Sequence, residues 1–316
     1  MDDYPRTLAE LEARFADESA CRDYLVALRW PDGFVCPVCE HKSGWKVTAL
    51  RYECAGCHRQ VSVTAGTIFH GTRTPLTTWF RAIWWVVTQK SGASALGMQR
   101  ILGLGSYETA WTWLHKLRRA MVRPGRDRLT GVVEVDETYV GGLEEGVHGR
   151  QTFKKALIVI AAQEDGKGIG RVRMRRIPDV SGETLGAFVQ ETIEPGSTVR
   201  TDGWRGYDGL SALGYRHDRH PLRGDRKAAS DLLPRVHRIV SLFKRWLLGT
   251  HQGAVSPEHL DYYLDEYVFR FNRRTSQHRG KLFYRCLQQA MQVEPVPYKA
   301  MIKHVRGPKP QRAVGP

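Results

Sequence analysis

The sequence predicts a mixed α/β protein in which a small cysteine-bearing ribbon and a helical region precede a larger sheet-and-helix domain. Three observations carry that prediction. Strand-type runs at 132–140, 156–163, 170–176 and 197–202 are interrupted by a helical stretch at 182–193 and followed by helical periodicity at 231–249 and 257–273; such a succession builds a sheet with helices packed on it. Residues 75–122 are helical in pattern. Ahead of them, two CxxC pairs stand among short strand-like segments.

From the N-terminus, residues 7–28 read as one amphipathic helix, with Leu8, Leu11, Phe15, Cys21, Tyr24, Leu25 and Leu28 near helical spacing. Trp30-Pro31-Asp32-Gly33 is a turn, and Tyr52, Val61, Val63, Ile68 and Phe69 suit short strands. Pro75 opens a helix bearing Trp79, Ile83, Trp84 and Val87; residues 94–102 form a second, Gly103-Leu104-Gly105-Ser106 a turn, and 107–122 a third. A short helix, a glycine turn and a longer helix ending in basic residues have the outline of a helix-turn-helix, an outline that plain helical hairpins share. The stretch 124–128 is the clearest linker. The expected domains are therefore an N-terminal helix (1–30), a ribbon (31–70), a helical DNA-binding region (71–123), a sheet domain (129–290) and a basic tail (291–316).

Composition limits the function classes. Of 316 residues 41% are hydrophobic, with 9 Trp and 12 Tyr, which favours folding over disorder. Lys and Arg number 48 against 33 Asp and Glu, a formal charge of +15. Such a surplus speaks of partners, nucleic acid above all, although charge alone also fits a soluble protein that happens to be basic. No apolar run reaches the roughly 18 residues a membrane span needs, and the start Met1-Asp2-Asp3-Tyr4 is acidic where a signal peptide is basic. The expectation is a cytoplasmic, nucleoid-associated protein with no membrane partner, whose six cysteines are metal ligands or free thiols.

Cys36-Pro37-Val38-Cys39 and Cys54-Ala55-Gly56-Cys57 are separated by 14 residues. Each CxxC turn places two thiolates on one side of an ion, and two such turns complete the tetrahedron zinc prefers. Four cysteines saturate the metal, so the zinc is expected to be structural. Cys21 and Cys286 read as buried apolar residues.

Within the run 132–140, alternation sends Val133 and Val135 to one face and Glu134 and Asp136 to the other. Asp202 ends the run 198–202 before Gly203-Trp204. Two carboxylates in one sheet suit a hard divalent cation; singly, either is equally an aspartate that terminates a strand. Between Asp202 and His237 lie 34 residues, and Lys244 follows His237 by seven. Seven positions are two helical turns, so His237, Ser241 and Lys244 share a face at the edge of the apolar stripe Val236, Ile239, Val240, Phe243 and Leu247.

An Asp in a first strand, an Asp ending a fourth, then a helix with Lys at plus seven resembles the DDE transposases. The run 244–251, with His259-Leu260, Tyr263-Leu264 and the segment 269–274, resembles the end of an insertion-sequence transposase domain, in the bacterial group whose N-terminus carries a transposase zinc ribbon. The likeness spans residues 20–290. It implies an RNase H-like fold and metal-dependent DNA strand cleavage and strand transfer, acting on double-stranded element ends and target DNA, with Mg²⁺ or Mn²⁺ as catalytic cofactor and a homo-oligomer on the DNA. The implied catalytic residues are Asp136, Asp202 and the third ligand, with Lys244 placing phosphate.

This chain departs from the family by having His237 where most members have Glu. Imidazole is a poor ligand for Mg²⁺ and an acceptable one for Mn²⁺. Three outcomes stand open: His237 ligates, directly or through water; Glu266 or Asn272 supplies the ligand; or the copy is inactive. Arg200 and Arg205 would hold the aspartates ionised. Lys116, Arg118 and Arg119 in the last turns of the 107–122 helix, and Arg238 and Arg245 in the 231–249 helix, are the candidate DNA contacts. Nine Lys or Arg against Asp218, Asp225 and Asp231 between Arg216 and Arg245 suit a phosphate track or a solvated face. The tail bearing Lys299, Lys303, Arg306, Lys309 and Arg312 suits phosphate contact. Trp204 and Trp246 are candidates for stacking on bases or for core, with Trp246 assigned to core. A transposase-derived DNA-binding regulator without catalysis, and a metal-dependent nuclease, are the rival readings.

Overall fold

The computed structural model describes residues 4–123, 125–141, 155–220, 232–253 and 255–303. The chain forms two compact units, one from Met1–Arg123 with Thr275–Lys303 and one built on Pro124–Arg274. Arg223, Asp225, Arg226, Lys227 and Asp231 of the basic stretch, and the tail positions Arg306, Lys309 and Arg312, lie outside the described residues.

The first unit opens with two helices rather than one, α1 (Leu8–Arg14) and α2 (Glu18–Arg29). The break follows from capping. Thr7 accepts the Glu10 N–H at the head of α1, and Asp17 accepts the Ala20 N–H at the head of α2. An Asp that caps a new helix ends the old one, while Phe15 between them turns into the core.

Strands β1 (Gly44–Lys46), β2 (Arg51–Cys54) and β3 (Gln60–Ser62) form an antiparallel ribbon in that order. Its small core is aromatic, with Trp30 edge-on to Phe34 and Tyr52, and Phe34 stacked on Tyr52.

The helices α3 (Leu76–Thr88), α4 (Ala95–Leu102) and α5 (Tyr107–Ala120) follow. Ser94 and Ser106 cap α4 and α5, and Gly103, at φ +62°, ends α4 in the left-handed conformation that glycine adopts without penalty. The expected short helix, turn and longer helix are thus present. Trp79 of α3 stacks on Trp113 of α5 with centroids 3.5 Å apart.

Helix α9 (Arg279–Ala290) also belongs to this unit, where Phe283 packs on Phe15, Phe80 and Trp84. The expected sheet domain therefore ends at Arg274, not at residue 290: the apolar stripe of α9 completes the aromatic core of the first unit. A last helix, α10 (Tyr298–Lys303), sets Tyr298 edge-on to Trp111.

The second unit is a five-stranded sheet of β4 (Val132–Val140), β5 (Ala156–Asp165), β6 (Gly168–Ile177), β7 (Thr198–Thr201) and β8 (Arg216–Arg219), in the order β6-β5-β4-β7-β8. The first three form an antiparallel meander, and β7 and β8 add in parallel on the other side of β4. Helix α6 (Gly182–Thr192) makes the crossover from β6 to β7; α7 (Pro234–His251) and α8 (Leu260–Phe271) follow β8. This mixed sheet with its helical crossover is the RNase H-like architecture the sequence led us to expect.

The sheet is buried on both faces. Val133, Val135, Val159 and Val199 pack with Leu185, Phe188 and Val189 of α6 on one face. Ile158, Ile160, Val172 and Met174 pack with Val236, Ile239 and Phe243 of α7 and with α8 on the other. A central strand covered on both faces reads as a continuous apolar run, as β5 does. Among the described residues no helix is long and apolar enough to cross a membrane.

Candidate metal centres and catalytic site

The two cysteine knuckles have the same backbone construction. The residue after each second cysteine takes a left-handed conformation, Glu40 at φ +60° and His58 at +55°. The Glu40 N–H donates to the Cys36 carbonyl (2.9 Å) and the His58 N–H to the Cys54 carbonyl (3.0 Å). Likewise the N–H of Cys36 and that of Cys54 return to the carbonyls of His41 and Arg59. Two near-identical turns therefore face each other.

The Sγ atoms of Cys36, Cys39, Cys54 and Cys57 all lie within 4.8 Å of one another, with Cys36–Cys57 at 3.8 Å and Cys39–Cys54 at 3.5 Å. Sulfurs bound to a tetrahedral zinc at about 2.3 Å lie about 3.8 Å apart, so the group fits the ion. The N–H groups of Cys39 and then Val38 bond to Cys36 Sγ and bring its thiol down to about 6, which favours the ligating thiolate. Cys21 and Cys286 are fully buried, and burial, with Glu18 and Asp17 nearby, pushes the Cys21 thiol up to about 12.

In the second unit, strand pairing sets the acidic site. Parallel pairing aligns Val132, Val133 and Glu134 of β4 with Thr198, Val199 and Arg200 of β7. Asp136 lies on β4 two residues beyond the last of these pairs, and Asp202 directly follows the end of β7 at Thr201. Each aspartate is oriented locally: Asp136 Oδ1 accepts the Glu137 N–H (2.8 Å) and Asp202 Oδ1 accepts the Trp204 N–H (2.9 Å). Helix α7 crosses the Asp136 face and brings His237 Nε2 to 4.0 Å from Asp136 Oδ2. Two turns on, Lys244 Nζ donates to Thr138 Oγ1 (3.2 Å); burial, and then Lys155, lower its pKa. Asp136, Asp202 and His237 stand more openly than the cysteines, which form the one tight cluster of such ligand atoms among the described residues. Two carboxylates and an imidazole are donors that suit Mn²⁺ and, less well, Mg²⁺.

Both alternatives to His237 are engaged elsewhere. Glu266 is fully buried and pairs with Arg270 at 2.7 Å. The Asn272 side chain exchanges hydrogen bonds with the Val172 backbone (2.7 and 3.1 Å), holding the end of α8 to β6. Arg200 does not serve the aspartates either: it bonds Asp218 at 2.7 Å and lies 3.6 Å from Glu164.

The loop after Asp202 is held by contacts that sequence reasoning did not anticipate. Tyr207, in the 3₁₀ turn Arg205–Leu210, is wholly buried and donates to Glu137 Oε2 (3.0 Å), tying the Asp202 loop to the residue beside Asp136. Burial, then Glu137 and Asp136, push its phenol well above the ordinary value. Trp204 gives its indole N–H to the Val180 carbonyl (3.0 Å) and packs on the α6 side of the sheet, so it is not a free stacking platform. Trp246 packs between Phe243, Tyr267 and His251, as assigned.

Gly206 allows this close approach. A Cβ there would stand 2.5 Å from the Val180 carbonyl oxygen and 2.9 Å from Trp204 Nε1. Gly206→Ala is expected to cost about 1–3 kcal/mol and to displace the Asp202 loop, read as a lower denaturant midpoint together with weaker Mn²⁺ binding.

The candidate DNA contacts fare unequally. Arg118 is 2% exposed, with its guanidinium 3.5 Å from His115 Nε2, because α5 also turns Trp113, Leu114 and Leu117 inward. The expected phosphate contact from Arg118 is therefore withdrawn. Lys116 is half-buried, with a pKa lowered by burial and by Arg119. Arg119 donates to the Glu294 carbonyl at 3.0 Å. Arg238 and Arg245 stand exposed on α7, seven residues and two turns apart.

Comparison with known proteins agrees with this organisation. The family model described as the ISXO2-like transposase domain matches residues 128–272, and that of the transposase zinc-ribbon domain matches residues 16–60. Among solved structures, the Mos1 transposase paired-end complex with the left transposon end is similar at 12% identity and a TM-score of 0.30, over 72% of this chain and 80% of that one. The Mos1 strand transfer complex is similar at 13% identity and a TM-score of 0.27, over 71% and 76%. No curated protein matches the chain. The chain thus carries a zinc ribbon of transposase type ahead of an ISXO2-like transposase domain, an order consistent with an insertion-sequence DDE transposase.

Proposed function

We propose that this transposase cleaves DNA at its element's ends and joins them to target DNA, using a divalent-metal site formed by Asp136, Asp202 and His237. The observations that support this most directly are the parallel pairing of β4 with β7, the strands that lead to Asp136 and Asp202, and the 4.0 Å approach of His237 Nε2 to Asp136 Oδ2. A divalent ion held there would supply electrostatic stabilisation to the attacking and leaving oxygens of an in-line phosphoryl displacement. The protein's own groups do the rest. Asp136 and Asp202 offer ionised oxygens, and their backbone hydrogen bonds keep both carboxylates oriented. Lys244, a cation two turns from His237, holds a phosphate oxygen near the reacting bond. Arg238 and Arg245 pair with strand phosphates on the solvent side of α7. The zinc ribbon and the α4–α5 hairpin read the element ends, and a homo-oligomer brings two ends together.

A strand-transfer assay on element-end DNA tests this reading. Joined products with Mn²⁺ are the expected result. Nicks without joining would favour a simple nuclease, and no metal-dependent cleavage would favour a DNA-binding regulator. The metal preference adds a sharper result. His237→Ala is expected to lose at least the roughly 10–100-fold that outer-shell partners of metal sites are worth. His237→Glu, a harder ligand, is expected to raise Mg²⁺-supported activity relative to Mn²⁺; an unchanged Mg²⁺/Mn²⁺ ratio in both variants would remove His237 from the site.

A further inference from the structure

We propose that Glu134 is a positioning residue for the divalent-metal site: its buried carboxylate fixes the first turn of α7 on β4, so that His237 faces Asp136. The inference rests on the reading of His237 as a ligand. Helix α7 begins with Pro234 and has no side-chain cap of its own. Its first N–H groups therefore need acceptors from outside the helix. Glu134 supplies them from the neighbouring strand: Oε2 accepts the N–H of Arg235 (2.8 Å) and of Val236 (3.0 Å), and Oε1 accepts Arg235 Nη1 (2.9 Å). The carboxylate is fully buried. A charge so placed needs compensation, and here a guanidinium and the positive end of a helix provide it.

Geometry links this cap to the metal site. Glu134 and Asp136 are two apart on β4 and share its α7 face; Val236 and His237 are consecutive in the capped turn. The strand thus holds the helix by one carboxylate and meets its imidazole with the next. Slippage of α7 by one residue would rotate His237 by about 100° and shift it by about 1.5 Å. Arg235 adds to the clamp by reaching Glu164 Oε1 (3.2 Å) and the Gly166 and Gly168 carbonyls (2.9 and 3.0 Å) in the β5–β6 turn. In the first unit Glu18 caps α3 in the same way, accepting the Leu76 and Thr77 N–H groups. A capping carboxylate is thus also a general device of this chain, and coupling to His237 is what marks a positioning role.

The test is a Mn²⁺ titration of the full zinc-loaded chain, following the free-ion signal by electron paramagnetic resonance. The proteins are wild type, Glu134→Gln, Glu134→Asp, His237→Ala and the doubles combining each Glu134 change with His237→Ala; folding is checked by circular dichroism. Both Glu134 variants are expected to weaken Mn²⁺ binding about tenfold, and neither is expected to weaken it further once His237 is Ala. Wild-type binding by the Glu134 variants would overturn the inference. So would an equal loss with and without His237, which would mean that Glu134 acts by charge alone. The Asp variant keeps the charge and shortens the reach, so it carries the test should Glu134→Gln not fold. Wild-type binding by His237→Ala would overturn the ligand assignment itself and the inference with it, and that arm is read separately from the other two.

Discussion

Asp136→Asn is expected to abolish strand cleavage and joining while leaving the fold and element-end binding close to wild type. Losing one carboxylate ligand of a catalytic metal forfeits several kcal/mol of transition-state stabilisation; at about 1.4 kcal/mol per tenfold, that is a fall on the order of 10³ in rate. Stability should change little, because asparagine keeps the size of the side chain and an oxygen to accept the Glu137 N–H. Asp202→Asn should behave alike, since the Trp204 N–H it receives is also met by an amide oxygen. Binding of element ends, followed by gel shift at fixed salt, should be unaffected in both, whereas Arg238→Ala and Arg245→Ala should weaken it evenly across sequences and flatten its salt dependence. Metal-dependent cleavage that survives in both aspartate variants would place the chemistry elsewhere.

The second large effect concerns zinc. Cys36→Ser, or removal of the ion by a strong chelator, is expected to unfold the ribbon and with it recognition of element ends. Three strands of three or four residues and one aromatic cluster are a meagre core, whereas structural zinc contributes about 10–16 kcal/mol of apparent binding energy in small zinc domains. The measurement is one equivalent of zinc released per chain, with a red shift in fluorescence as Trp30 leaves its pocket against Phe34 and Tyr52. Circular dichroism of the second unit should persist, because its strands and helices enclose their own core. Acid should ease the release. Zinc holds its cysteines as thiolates, so protons compete with the ion for the four sulfurs and its affinity falls as the pH is lowered. A ribbon that keeps its fluorescence without metal would end the structural-zinc assignment.

The zinc site was legible almost completely, because a CxxC turn is local: the residues that build it are neighbours in sequence, and only the pairing of two such turns needed the fold. The order of strands and helices was legible for a similar reason, since period-2 and period-3.6 patterns are recorded in adjacent residues. The break between α1 and α2 was less so. Asp17 lies within an unbroken helical pattern, and only its side-chain bond to Ala20 reveals it as a cap. The C-terminal boundary was misjudged because α9 carries an amphipathic stripe that suits either unit, and nothing in its own residues names the partner.

Arg118 shows the same limit from the other side. A basic residue in a last helical turn reads as exposed until the packing of Trp113 and Leu117 turns that face inward. Glu134 stood in plain view beside Asp136, on the correct face, yet had no role to assign until Arg235 and Val236 arrived from about a hundred residues away. A cap-less helix start at Pro234 was the one signal that could have prompted the question.

By itself, then, the sequence determined the class of protein, the zinc ligands, the strand and helix succession and the spacing of Asp136, Asp202, His237 and Lys244, because these are properties of local pattern and of motif distance. Tertiary structure alone decided that β4 and β7 pair in parallel ahead of Asp136 and Asp202, that Glu266 and Asn272 are committed to packing, that Tyr207 bonds Glu137, and that Glu134 caps α7. Those outcomes depend on which strands pair and in what register, and parallel pairing across a long crossover leaves no trace in the residues on either side of it.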